Sequence, residues 1–211
     1  MNTRMPRHIL PLPTLQRGYC SAITCVLLVI PSCSQREPLP RQRSSNILSK
    51  VPHRGQEKSY LCWAASAQMI MEYAKVYVDQ KVEVYDEFQL SGCLTDFTES
   101  CDLTGWPQFE DYGFSYRTTA DSALPWDEIR QQIDSNKPFA FSEHDDGGGG
   151  HMRVAVGYIG EGGERDVVYH EPLNNGDTYY MSYDRFAGAP RQHWDDFYDI
   201  RRTGYAVVTR P

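Results

Sequence analysis

A cysteine and a tryptophan head a run rich in alanine, methionine and glutamine, "LCWAASAQMIMEY" (residues 61–73). Those residue types favour a helix. A thiol in the first turn of a helix sits at the positive end of the macrodipole, which favours the thiolate that attacks carbonyl carbon. On that reading Cys62 is a nucleophile. On another it is a small residue packed beside Trp63 and the alanines, and the choice rests on its partners. A thiolate nucleophile needs an imidazole to hold its proton and pass it to the leaving group. His151 opens the most strand-like segment of the chain, "HMRVAVGYIG", directly after four glycines. A third group must orient the ring through its other nitrogen. Glu171, just past "DVVYH", fills that need, and Asp166, at the start of the same segment, competes for it. The developing oxyanion needs donors, which the side-chain amide of Gln56 and the backbone N–H of Cys62 would supply.

These residues carry a resemblance. Gln56, five residues, then Cys62-Trp63-Ala64 resembles the active-site block of papain-like cysteine proteases, and "GHMRVAVGY" (150–158) resembles their histidine block. "YHEPL" (169–173) is similar to the Asp-Pro block of the exported bacterial branches. Those branches include the peptidases that trim double-glycine leaders from bacteriocins and the secreted cysteine proteases of plant pathogens. The blocks stand in the family's order across roughly residues 55–211. The resemblance implies peptide-bond hydrolysis through an acyl-enzyme without a cofactor. Cys62 would be nucleophile, His151 base and then acid, Gln56 oxyanion donor and Glu171 the orienting residue. It also implies a papain-like α+β fold, with an N-terminal helical lobe carrying Cys62 packed against a C-terminal antiparallel β lobe carrying His151. Two departures stand out: "EKSYL" replaces the family's glycine-rich lead-in, and Glu171 stands where Asp or Asn is usual. The 89 residues from Cys62 to His151 are fewer than in plant and lysosomal enzymes, so their loops and subsites are not carried over. Two other outcomes use the same nucleophile, acyl transfer to an amine and deamidation of glutamine. A catalytically silent lipoprotein that only binds is a third, disfavoured by the joint presence of Gln56, Cys62 and His151.

The elements that must position these groups follow from local pattern. Apolar positions at helical spacing predict a buried helix from Leu61 to about Val76. A second helix is expected over about 80–90. A third begins at "LPWDEIRQQI", where Pro125 and two acids suit a first turn. After Pro138 the character changes: "PFAFSEH", "HMRVAVGYIG", "DVVYH", "TYYMSY" and "GYAVVT" predict an antiparallel sheet of about five strands. Helices first and strands afterwards is an α+β layout. Trp63 is expected in the core. The aromatic run "WPQFEDYGFSY" (106–116) either lines the cleft or packs between the lobes.

Composition and cysteine use bound the setting. The net charge of −7 argues against nucleic acid as a partner. Residues 1–32 hold three arginines, no acid and the apolar run "YCSAITCVLLVI", the pattern of a signal peptide. "IPSCSQ" resembles a bacterial lipobox, which would make Cys33 a lipidated residue anchoring the chain to a membrane, with Pro31 unusual in such a box. The protein is then expected to be exported, facing the periplasm from the cell envelope or secreted. Residues 33–54, rich in Pro, Ser and Arg, read as a flexible tether, leaving 55–211 as one domain, expected to be monomeric. Beyond Cys33 the cysteines are Cys62, Cys93 and Cys101. An odd number in an oxidising compartment implies one leftover thiol, and Cys93 and Cys101, eight apart in a polar stretch, are paired here. Cys62, His144, His151 and His170 lack the spacing of a zinc site, and Asp145 and Asp146 read as turn residues rather than calcium ligands.

Overall fold

Alternating apolar residues in the second half of the chain build one sheet, and an alanine-rich helix lies against it. The computed structural model describes residues 44–144, 149–188 and 195–204. Among these, β1 (Ser45–Ile47), β2 (Phe114–Thr118), β3 (Phe139–His144), β4 (Gly150–Glu161), β5 (Glu164–Glu171), β6 (Asp177–Ser182) and β7 (Phe197–Arg202) form an antiparallel sheet. Its order is β2-β7-β3-β4-β5-β6, with β1 also paired to β4. The helices are α1 (Cys62–Tyr73), α2 (Gln80–Phe88), α3 (Gly92–Thr95), α4 (Trp126–Asp134) and α5 (Tyr183–Ala187).

The α+β expectation holds, and the three expected helices correspond to α1, α2 and α4. Helix α1 is buried nearly all round, as its apolar and small residues dictate. It packs on β4 and β3, where Val154, Ala155, Val156, Phe139 and Phe141 are fully buried. In α4, Pro125 precedes the first turn and Asp127 and Glu128 lie within it, while Trp126, Ile129 and Ile133 turn inward. Four expected strands correspond to β3, β4, β5 and β6. "GYAVVT" begins at Gly204, and its remaining residues lie outside the described ones, as do the leader, Cys33, Asp145 and Asp146.

Strands β1, β2 and β7 were not anticipated, and β1 corrects the reading of residues 33–54 as a tether. From Ser44 onward the segment belongs to the domain. Ser45, Asn46 and Ile47 pair with Ile159, Tyr158 and Gly157, and Leu48 and Val51 are buried. Gly157 makes this possible, since a Cβ there would stand 2.7 Å from the Asn46 carbonyl oxygen. His53 continues the attachment by stacking on His170, with ring centroids 4.2 Å apart, while Arg54 pairs with Glu72 of α1. Arginine, serine and proline dominate the composition of the segment, but a few apolar side chains and the free edge of β4 were enough to fix it.

A chain beginning at residue 55 is therefore expected to melt at least roughly 6 °C below one beginning at residue 44. Burying two aliphatic side chains is worth about 3 kcal/mol or more, and each kcal/mol moves the midpoint of a chain this size by about 2–4 °C. Calorimetry on the two chains decides it, and equal midpoints would show the segment to be dispensable.

Candidate active site

Three elements meet at Cys62. The residue is the first of α1, after Leu61, whose φ of −97° and ψ of 24° start the helix. Its side chain is about nine-tenths buried, and the sulfur accepts a hydrogen bond from the backbone N–H of Met152 at 3.5 Å. That contact ties the head of the helix to the start of β4, where the neighbouring residue is His151. The Cys62 side chain lies within hydrogen-bonding and charge range of the His151 imidazole, and both residues border the same two cavities. On the far side of the ring Nε2 meets Glu171 Oε1 at 2.5 Å, which leaves Nδ1 as the nitrogen that can serve the sulfur. Glu171 ends β5, where its side chain also caps the turn Pro172–Asn174 by accepting the Leu173 N–H at 3.1 Å. Its other oxygen accepts from Arg153 Nε at 2.6 Å.

Charge follows this geometry. Burial alone would lower the proton affinity of His151, but hydrogen bonds to Cys62 and Glu171, together with their charge, raise its pKa to about 9. Burial would raise Glu171, yet the bonds and charges of His151 and Arg153 lower its pKa to about 2. An imidazolium and a carboxylate thus stabilise one another inside the fold.

Cys62 and His151 both line two cavities. One, of about 420 Å³, is bounded also by Tyr60, Glu143, His144 and Arg153. The other, of about 210 Å³, is apolar and walled by Trp63, Gly105, Trp106 and Met152. Trp63 is core, as expected, and its indole N–H donates to the Leu103 carbonyl at 2.9 Å. Gly105 lies so close over this indole that a Cβ would come within 2.9 Å of it. The aromatic run divides between its two expected roles: Trp106 reaches the cavity, whereas Phe109, Tyr112 and Phe114 are buried.

The Gln56 amide is turned toward its own turn. Its Nε2 donates to the carbonyls of Lys58 and Ser59, at 2.9 and 2.6 Å, its Oε1 is buried without a partner among the described residues, and it lines neither cavity. The local cause is the turn formed by "EKSYL", which points two carbonyls at the amide. Asp102 holds that turn, accepting the N–H groups of Ser59 and Tyr60 at 3.2 and 2.6 Å. Asp102 directly follows Cys101, which is joined to Cys93 in a disulfide. The sequence reading did not single out Asp102, Arg153 or Glu143. Arg153 and Glu143 lie within two of the expected strands, where charge amid apolar neighbours is the available signal. Asp166 pairs with Ile159 and Ser182 at the opposite end of β5, beside a separate cavity. His170 faces His53, not Cys62, and among the described residues no three His, Cys, Asp or Glu side chains converge as a metal site.

A helix-borne cysteine meeting a sheet-borne histidine across a cleft is the arrangement of the papain-like α+β peptidase fold. The chain belongs to the Peptidase_C39-like family, whose model matches residues 48–201. Among solved structures it is similar to a Bacillus anthracis protein named as a C39-like peptidase. The TM-score is 0.50 at 16% identity, over 75% of this chain and 99% of that one. It is also similar to the peptidase domain of Streptococcus ComA, a bi-functional ABC transporter involved in quorum sensing. There the TM-score is 0.48 at 12% identity, over 71% of this chain and 97% of that one. No curated protein sequence matches the chain significantly.

Because Glu171 raises the pKa of His151, the imidazolium persists below about pH 9 and is lost as pH rises through that value. Glu171→Gln removes the charge, so the alkaline limb of kcat/KM for peptide hydrolysis should move to lower pH, toward the ordinary histidine range. A pH–rate profile whose alkaline limb stays in place would show that Glu171 does not govern the protonation of the ring.

Proposed function

We propose that this chain is an exported cysteine peptidase that cleaves peptide bonds by way of a Cys62 acyl-enzyme. The observation that carries the reading is the placement of Cys62 and His151 together in the lining of two cavities, with the ring engaged by the sulfur on one side and by Glu171 on the other. Membership of a peptidase family supports a peptide or protein substrate.

The chemistry follows from the geometry. The Cys62 thiolate, paired with the protonated His151, attacks the scissile carbonyl carbon and forms the C–S bond. The carbonyl oxygen becomes an oxyanion, facing backbone N–H groups of the first turn of α1, which have no acceptor within the helix. His151 gives its proton to the amine nitrogen as the C–N bond breaks, and the amine departs. The neutral ring then takes a proton from water, whose oxygen attacks the thioester. Collapse releases the acid and restores thiolate and imidazolium. Glu171 orients the ring and balances its charge throughout. The apolar cavity beside the sulfur receives an apolar side chain of the substrate.

Export is supported by the basic, then apolar, leader with Cys33 after it and by the Cys93–Cys101 disulfide. Lipid attachment at Cys33 belongs to the same reading, and the mass of the mature N-terminus tests it.

Cys62→Ala and His151→Ala should each lower peptide hydrolysis by about 10³-fold or more with the melting midpoint little changed. The parent's Cys62 should be alkylated by iodoacetamide at pH 6 faster than an ordinary thiol. Slow labelling with an intact fold would refute the peptidase reading. Trp106→Ala should cost about tenfold or more in kcat/KM on peptides whose apolar side chain fills the smaller cavity. Indifference across a peptide library would remove that cavity from the binding site.

A further inference from the structure

Glutamate at position 171 poses a problem that a shorter acid would not. Its carboxylate swings on one more rotatable bond than that of aspartate, yet it must meet a ring nitrogen at 2.5 Å. The Leu173 N–H fixes Oε1, and Arg153 Nε fixes Oε2. Arg153 stands two residues after His151 on β4, so both side chains leave the same face of the strand. Extending the Val154–His170 pairing by one residue sets Arg153 beside Glu171. Arg153 is held in turn: Nη1 donates to the Glu143 carboxylate on β3, where Glu143 pairs in register with His151, and the guanidinium lies over the Tyr169 ring, 5.6 Å from its centroid. The two strands flanking β4 therefore fix one side chain that is 15% exposed.

We propose that Arg153, braced by Glu143, is a positioning residue for the reaction, holding the Glu171 carboxylate in the orientation that receives the His151 Nε2–H. The inference rests on the catalytic reading of Cys62, His151 and Glu171. The planar fork matters because Nε serves one carboxylate and Nη1 the other, and a lysine, with a single point of charge, cannot reproduce both directions. Arg153 also borders the larger cavity, so direct contact with substrate is the competing role.

The test uses the full chain and two readouts, the rate of Cys62 alkylation by iodoacetamide at pH 6, located by peptide mass spectrometry, and kcat and KM on a cleaved peptide. Arg153→Met and Arg153→Lys should each lower the alkylation rate and kcat about tenfold or more, with KM within about twofold. In a Glu171→Ala background the same changes should alter either readout by less than about twofold, because the residue through which Arg153 acts is gone. Melting midpoints monitor folding, and Arg153→Lys, which retains the charge, carries the cycle if Arg153→Met does not fold. Losses as large without Glu171 as with it would overturn the proposal. A rise confined to KM, or full activity in Arg153→Lys, would do the same. If Glu171→Ala alone leaves both readouts at the parent's level, the role of Glu171 falls and the proposal with it. A parent whose Cys62 labels no faster than a free thiol would instead refute the peptidase reading itself.

Discussion

One imidazole ring, engaged on both sides inside the fold, sets the demands that the rest of the structure meets. Burial disfavours its charged form, and the sulfur and the carboxylate on either side more than offset that cost. Those partners arrive on separate elements, the head of α1 and the end of β5, and the ring itself sits on β4. Strand register is therefore a chemical requirement as well as a packing one. A slip of β4 by one residue would turn His151 to the opposite face. The pairing of β4 with β3 on one side and β5 on the other prevents it, as do Met152, Val154 and Val156, which are buried against the core.

The approach to Cys62 is braced as well. Asp102 caps two backbone amides of the turn before Leu61, and the disulfide ends one residue earlier. Gln80, almost wholly buried, takes the Glu57 N–H and donates to the Gly55 carbonyl, while the Gln56 N–H bonds to Pro172, next to Glu171. The segment entering α1 is thus fastened both to α2 and to the turn beyond β5.

What could be read from the sequence was what local pattern encodes. Helix α1 was legible because its apolar residues recur at helical spacing, and β3 to β6 because β-branched and aromatic runs are separated by turn residues. The meeting of Cys62, His151 and Glu171 was legible as a set of chemical needs that few residues could satisfy. Strand β7, "FYDIRR", was not, because its alternation is diluted by charge and its burial depends on packing against β2 and β3. Nor was β1, whose three residues become a strand only because β4 offers them an edge. The inward turn of the Gln56 amide depends on two carbonyls and a distant aspartate, relations that spacing along the chain does not display. Arg153 was hidden for the same reason: its meaning lies across strands, in Glu143 and Glu171.

The stitching of β1 into the sheet shortens the leash. Were Cys33 to carry lipid, ten residues would lie between it and Ser44, a span of at most about 40 Å for any conformation of the chain. The face bearing Cys62 and His151 would then stay close to the bilayer, within reach of chains that are themselves tethered there.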